Sequence, residues 1–336
     1  MYIESCRRAQ YNYEKTGGYG VKVERIEALP LTKGQALQYA GIVIKEKTGE
    51  QPTALEYLGG GSFGRAVTAT IKGKRIVVKF LRAKDMMAKE AHDLSLLSAN
   101  CDIKIPAVMF TREADKTIPV DCYGMEMIEG KSALFALGML FMSKKRRLEF
   151  ADKITSALHR IHSVTSDKFG DTLDPDCDDW LDYYRPFAAE VLRKAEEYHK
   201  KGQISDKIIT AMRAAWKKFD VIFSEKVKTA CLIHGDLNVG NIMVGKGYEI
   251  TGIIDPLNSM YADREYDLFQ FDNLTGKRFF LRETYIRKYG ASRYCMQKLA
   301  FYGLWNEVYC YIKSGVLVGL IMDPLVKNMH KRLAEL

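Results

Sequence analysis

The 336-residue sequence predicts an α+β fold in which a small antiparallel sheet precedes a mostly helical remainder. Three observations predict it. Residues 54–80 carry β-prone runs separated by turn chemistry: Gly59-Gly60-Gly61-Ser62-Phe63-Gly64, then Ala66 to Ile71, then Lys72-Gly73-Lys74, then Arg75 to Phe80. From Leu134 onward the pattern is mostly helical, with Trp180 to His199 and Gln203 to Phe223 reading as a helical pair. Embedded in that part are two short apolar runs, Ile242 to Val244 and Tyr248 to Ile254, around a Gly245-Lys246-Gly247 turn.

The elements follow in order. Residues 1 to about 30 show no strong period and read as an arm or irregular lead-in. Thr32 is placed to cap a helix over Gly34 to Glu46 that ends near Gly49 and Pro52. Three antiparallel strands occupy 54–80. Lys84 to Ala99 reads as a helix with Met87, Ala91, Leu94 and Leu97 on one side. Ile105 to Phe110 and Tyr123 to Ile128 complete the sheet, and Gly130 marks a boundary. The expected organisation is a lead-in with one helix over 1–53, an N-terminal lobe over 54–130 and a helical C-terminal lobe over 131–336.

Composition narrows the function classes. Hydrophobic residues make up 47% and charged residues 28%, ordinary globular usage. The longest apolar runs, Ala133 to Met142 and Val316 to Met322, fall far short of the ~20 residues that span a bilayer. Met1 to Gln10 is polar, without a signal-peptide core. Seven scattered cysteines without C-x-x-C pairs read as reduced thiols, so a cytoplasmic location is expected. The net charge is +9, and its sharpest cluster, Lys144-Lys145-Arg146-Arg147, reads as a solvated helix face or loop. No zinc finger, aromatic platform or basic tail accompanies it, so neither a nucleic-acid nor a membrane partner is expected.

Chemistry concentrates in His234-Gly235-Asp236-Leu237-Asn238-Val239-Gly240-Asn241 and the following Ile253-Ile254-Asp255. Asp236 supplies a proton acceptor. A hairpin between 242 and 254 brings Asn241 close to Asp255, and two such oxygen donors suit Mg²⁺, which takes carboxylate and carbonyl oxygens with phosphate and water. Upstream, the G-x-G-x-x-G of Gly59, Gly61 and Gly64 is weak alone. A dinucleotide-binding reading needs a strand before it and a helix after it, and here strand, turn and strand follow. A Gly-rich hairpin tip instead lets backbone N–H groups approach phosphates. Lys79 shares a face with Val77 and can reach phosphates under that loop.

Together these motifs resemble the kinase-like phosphotransferases of the aminoglycoside phosphotransferase and fructosamine kinase group, over about residues 54–275. The order of Gly-rich hairpin, Lys79 strand, Glu90 in the next helix, His-Gly-Asp-x-x-x-x-Asn and Ile-Asp255-Pro carries the resemblance. Protein kinases have Arg where Gly235 stands and D-F-G where Asp255 is followed by Pro256 and Leu257, and those departures point to the small-molecule branch. Asp263-Arg264-Glu265-Tyr266-Asp267-Leu268 is similar to a motif of fructosamine kinases. The resemblance implies a bilobal protein-kinase-like fold binding Mg²⁺–ATP between its lobes. Gly59, Gly61, Ser62, Phe63 and Gly64 would cover the phosphates. Lys79 would contact them, held by Glu90, and Glu126 and Ile128 would lie in a hinge that meets adenine. Asn241 and Asp255 would hold the metal, and Asp236 would orient the acceptor hydroxyl and take its proton.

Other residues carry plainer expectations. His234 is expected to be structural, and Asp267 to brace a helix near the catalytic loop. His159 and His162, three apart, are expected to pack rather than bind metal, lacking a third ligand. The expected function is ATP-dependent phosphorylation of a small-molecule hydroxyl, with a fructosamine-like or other amino sugar first. An aminoglycoside or other small alcohol is the alternative, and a catalytically inactive nucleotide-binding protein the alternative of another class. The basic charge disfavours a polycationic acceptor.

Overall fold

The computed structural model describes residues 23–317 and 319–336. Two compact units divide them: 26–95 with 106–127, and 23–25 with 96–105 and 128–336.

The first unit opens with α1 (Lys33–Thr48). Thr32 Oγ1 accepts from the Gln35 N–H while the Gln35 side chain accepts from the Thr32 N–H, a reciprocal cap that meets two otherwise orphaned donors. Gly49 closes the helix in the left-handed conformation, at φ 75°. Ala36, Ala40, Val43 and Ile44 form the helix face that is wholly buried. They share one core with Val67, Ala69, Ile76, Val78, Phe80 and Cys122 of the sheet. That sheet contains β1 (Thr53–Gly59), β2 (Gly64–Ile71), β3 (Lys74–Leu81), β4 (Val108–Arg112) and β5 (Cys122–Glu126), ordered β1-β2-β3-β5-β4 with every pair antiparallel. β2 and β3 turn through two residues, Lys72 and Gly73, both with positive φ, matching the twist of the flanking strands. α2 (Met87–Ala99) starts three residues later than its apolar pattern suggests, because Asp85 takes φ 62° in a turn.

The second unit is mostly helical, as expected. It contains α3 (Lys144–His162), α4 (Trp180–Lys200), α5 (Asp206–Trp216), α6 (Phe219–Ile222), α7 (Leu281–Tyr289), α8 (Cys295–Ser314) and α9 (Gly319–Leu333). The single helix expected over 203–223 is two, parted at Lys217–Lys218. Aromatic rings fill the core: Phe301 stacks on Trp305 at 3.7 Å, and Trp180 on Tyr184 at 5.2 Å. Each buried indole finds an acceptor, Trp180 at Tyr302 Oη (2.9 Å) and Trp305 at the Ala188 carbonyl (2.9 Å).

Two small sheets complete this unit. β6 (Lys131–Ser132), β11 (Ile242–Val244) and β12 (Ile250–Ile253) are ordered β12-β11-β6. β7 (Thr165–Ser166), β8 (Phe169–Asp171), β9 (Pro175–Cys177), β10 (Ala230–Leu232) and β13 (Met260–Ala262) are ordered β7-β10-β13-β8-β9. The hairpin reading holds at β11–β12, where Ile242 pairs with Ile253. Its second strand starts at Ile250 rather than Tyr248, because Tyr248, at φ 62°, belongs to the turn.

Candidate active site

The loop that carries Asp236 leaves β10 at Ile233. Gly235 takes φ +82°, and a Cβ there would stand 2.1 Å from the Leu257 carbonyl oxygen. Only glycine fits that backbone and that approach, which accounts for its place where protein kinases carry arginine. Asp267, buried in the 3₁₀ segment Arg264–Asp272, holds the loop from behind. Its Oδ2 accepts the His234 N–H at 2.8 Å and its Oδ1 the Gly235 N–H at 2.7 Å. Gln270 Nε2 donates to the Gly235 carbonyl at 3.3 Å, and Ser259 Oγ to the His234 carbonyl at 3.0 Å.

His234 is fully buried, and its Nδ1 accepts the Asp236 N–H at 3.3 Å. Burial lowers its pKa, which suits a neutral ring inside the loop. His162 also meets Asp267, with Nε2 3.1 Å from the same Oδ2 and Nδ1 2.6 Å from Tyr285 Oη. His159 stacks on Tyr289 at 3.7 Å. No group of three or more His, Cys, Asp or Glu side chains that could hold a metal occurs among the described residues. The sequence gives His162 no more than packing. Its place in the brace depends on Asp267 and Tyr285, 105 and 123 residues away.

Asp236 projects from this support with both carboxylate oxygens met by amides. Asn238 Nδ2 donates to Oδ1 at 2.9 Å and Asn241 Nδ2 to Oδ2 at 3.0 Å. Burial, foremost, and the charge of Asp255 push its pKa up to about 7, although the two amide donors pull the other way. Asn238 was not singled out from the sequence. The signal for it is its position two residues after Asp236 in a turn, where a short amide can bond back.

Asn241 also donates to the Asp236 carbonyl at 2.7 Å, while its own carbonyl accepts the Ile254 N–H at 2.9 Å. The hairpin thus brings Asn241 to the residue before Asp255. Asp255 is exposed and has φ 56°. With Nδ2 committed to Asp236, the Asn241 amide presents its oxygen as the remaining acceptor. An amide oxygen and a carboxylate are each hard donors of the kind Mg²⁺ takes with phosphate and water.

In the first unit, Gly59 to Gly64 form the tip between β1 and β2. A Cβ at Gly60 would lie 2.4 Å from the Gly64 carbonyl oxygen, so the tip is too tight for a side chain there. Arg65 Nη1 donates to the Gly61 and Gly64 carbonyls at 2.7 and 2.8 Å, and Arg82 Nη1 to the Ser62 carbonyl at 3.3 Å. The Phe63 carbonyl accepts the Arg82 N–H at 2.7 Å. Lys79, on β3, passes beside the loop, its Cε 3.4 Å from where a Gly64 Cβ would be. Its Nζ lies 2.9 Å from Glu90 Oε2, which also accepts from Tyr123 Oη at 2.8 Å. Glu126 ends β5 and gives its N–H to the Ala107 carbonyl at 3.0 Å, so a base using that N–H would have to replace this bond. Ile128 belongs to the second unit and is buried, its Cγ2 2.6 Å from where a Gly252 Cβ would be.

Comparison with known proteins decides the family. The profile of the phosphotransferase enzyme family (APH) matches residues 55–302. The chain belongs to the phosphotransferase enzyme family. No curated protein matches its sequence. Among solved structures it is similar to a Thermobifida fusca protein assigned as a fructosamine-3-kinase, with 17% identity, 88% of this chain and 98% of that one covered, and a TM-score of 0.64. It is also similar to aminoglycoside 2′-phosphotransferase-IIIa in its GDP complex (15% identity, 89% and 98% covered, TM-score 0.66). A third is a thermostable mutant of aminoglycoside phosphotransferase APH(4)-Ia with AMP-PNP and hygromycin B (16% identity, 88% and 97% covered, TM-score 0.63). This phosphotransferase therefore has the protein-kinase-like fold, with an antiparallel-sheet N-terminal lobe and a helical C-terminal lobe.

One signal from the sequence changes meaning. In Asp263 to Leu268, Asp263 and Glu265 are buried on Lys298, at 2.5 and 2.8 Å, and Arg264 donates to the Tyr289 carbonyl at 2.8 Å. The charged groups of the motif serve the interior.

Proposed function

We propose that this phosphotransferase moves the γ-phosphoryl group of ATP to a hydroxyl of a small molecule, a fructosamine-like amino sugar being the acceptor that suits the site best. The observation that carries the reading is Asp236, held by two amides on a braced loop with its pKa pushed up to about 7. A carboxylate of that basicity is matched to taking a proton at neutral pH.

The acceptor hydroxyl would donate to Asp236. Its oxygen would then bond to the γ-phosphorus as the bond to the β–γ bridging oxygen breaks, ADP leaves and the proton passes to Asp236. Catalysis would rest on positioning and charge neutralisation, with no covalent enzyme intermediate. Lys79, held by Glu90, would meet the phosphates. Asn241 and Asp255 would hold Mg²⁺, whose contribution when bound is to neutralise charge on the phosphate oxygens.

The acceptor preference draws support from α8. Glu307, Cys310 and Lys313 lie at i, i+3 and i+6, hence on one side of the helix, and all three are half-buried. The Cys310 thiol feels the charges of both Glu307 and Asp236. Glu307 makes no hydrogen bond or ion pair with another described residue, and burial raises its pKa. A carboxylate so placed suits an amine of the acceptor. A lysine six residues on, next to Cys310 at i+3, disfavours several amines at once.

The test is an ATP-consumption screen over ketosamines, aminoglycosides, sugars and choline-like alcohols at low and moderate salt. A fructosyl amino acid should give a higher kcat/KM than kanamycin-like compounds. A strong preference for polycations at both salt levels would reject the acceptor, and Mg²⁺–ATP binding without turnover of any acceptor would reject catalysis.

A further inference from the structure

Large apolar side chains are rarely left in water in a row. In this chain Phe135, Leu137 and Phe141 are 72%, 72% and 87% exposed within seven residues. They stand on the turn after β6 and on the 3₁₀ segment Leu137–Phe141, whose inward side buries Met139. The stretch 131–148 also carries Lys131, Lys144, Lys145, Arg146 and Arg147 and no acidic residue.

Hydrogen bonds gather further cations beside it. Arg278 Nη2 donates to the Leu140 carbonyl at 3.1 Å, and the Arg278 carbonyl accepts from Arg147 Nη1 at 3.1 Å. Arg146 Nη2 donates to the Gly247 carbonyl at 2.7 Å, which brings in the β11–β12 turn and its exposed Lys246. Leu274, 50% exposed, lies in the chain just before Lys277 and Arg278. The nearest acidic group of that turn, Glu249, is turned back on the Gly247 N–H at 2.9 Å. Lys144 and Lys145 are exposed and make no ion pair with another described residue.

We propose that residues 135–147, with the neighbouring 246–248 turn and 274–278 segment, dock this enzyme on an anionic phospholipid surface. Exposed phenylalanine and leucine enter the headgroup–acyl boundary, while a lysine and arginine rim meets anionic headgroups. Neither part suffices alone, because surface cations are screened within about 10 Å and three apolar side chains are a small anchor. Nucleic acid fits the cations and the two phenylalanines but gives the leucines no role. Binding to unpaired bases uses aromatic faces for stacking, and Leu137 and Leu274 have none. The absence of a membrane-crossing helix among the described residues bears on spanning and leaves surface docking open. Lys144 to Arg146 are solvated, as the sequence suggests, and docking gives that face a role the sequence does not show, because it does not show which apolar neighbours stay exposed. It does not depend on the acceptor or on catalysis.

The experiment is co-sedimentation of the full chain with phosphatidylcholine vesicles and with vesicles containing 30% phosphatidylserine. The expected result is binding to the second alone, weakening steeply with added salt. K144Q/K145Q should weaken it roughly 10-fold or more, at about one kcal/mol per cation near the surface. F135S/F141S keeps the charge and should abolish binding without changing thermal unfolding, because both rings are already in water. Equal affinity of both variants with the parent, or no binding at 0.05 M salt, overturns the proposal. Capture by a single-stranded RNA oligonucleotide without vesicle binding overturns it in favour of nucleic acid.

Discussion

Replacing Asp267 by asparagine tests how the loop that carries Asp236 is held. The side chain is wholly buried, and its two oxygens accept the His234 and Gly235 N–H groups at 2.8 and 2.7 Å. Asparagine has the same shape but one acceptor. Whichever way its amide turns, an NH₂ group faces a backbone N–H that has lost its acceptor. A hydrogen bond to a charged group contributes about 1.5–3 kcal/mol, and a buried donor left unmet costs about 1–3 kcal/mol. Allowing for relaxation, the loss should be about 3 kcal/mol. At roughly 2–4 °C per kcal/mol for a unit of this size, Tm should fall by about 6–12 °C. Turnover should fall too, since Asp236 is two residues from His234 and misplacement of about an ångström can cost 10²-fold. Thermal unfolding and steady-state kinetics at saturating ATP measure both on one preparation. A Tm within about 2 °C of the parent together with unchanged kcat would refute the reasoning.

Asp236→Asn should lower kcat by about 10²-fold or more with ATP affinity nearly intact, whereas Asp255→Ala should weaken Mg²⁺-dependent ATP binding by calorimetry; unchanged turnover in both would undo the assignment of roles. The Asp236 carboxyl has a folded-state pKa near 7, above its usual value, so its favourable contribution is complete in acid and lost as pH rises towards 7. In metal-free buffer, Asp236→Asn should therefore raise Tm by a few degrees at pH 8 and by little at pH 4, and the opposite pH trend would contradict the shift. Gly235→Ala places a Cβ 2.1 Å from the Leu257 carbonyl at φ +82° and should cost at least about 2 kcal/mol in urea unfolding.

Much of this molecule is legible in its residues because the signals are local. Thr32 with Gln35 marks the start of α1, Gly49 its end, and alternation around the Lys72-Gly73 turn marks β2 and β3. Gly245 to Gly247 places the hairpin that brings Asn241 to Ile254. What is not legible is set by distance along the chain. β7, β8, β9 and β13 are two or three residues long, too short to show a period, and exist only through their neighbours in the sheet. His162 reads as a packing residue until Asp267 and Tyr285 arrive beside it. Glu307 reads as one more helical glutamate until the fold half-buries it with no hydrogen bond or ion pair to another described residue.

The motif Asp263 to Leu268 shows how a family signal can point at the wrong property. Its side chains hold the fold: Asp263 and Glu265 converge on Lys298, and Tyr302 Oη donates to Asp263 at 2.8 Å. Burial works against the lysine's charge, but the two carboxylates hold its pKa above the usual lysine value. Any acceptor could be served by a loop braced in this way, so the motif does not by itself select a fructosamine. Lys298→Met and Glu307→Gln separate the two kinds of residue. The first leaves two carboxylates buried without their cation and should cost about 3–5 kcal/mol of stability while the ranking of acceptors among surviving molecules stays the same. The second should leave Tm and the KM for ATP nearly unchanged and lower kcat/KM most for acceptors that carry an amine. Parallel denaturation and acceptor-ranking assays on both variants decide it. If Lys298→Met reorders the acceptors, or Glu307→Gln lowers kcat/KM equally for amines and plain sugars, recognition does not rest on Glu307 and the motif regains its claim on the substrate.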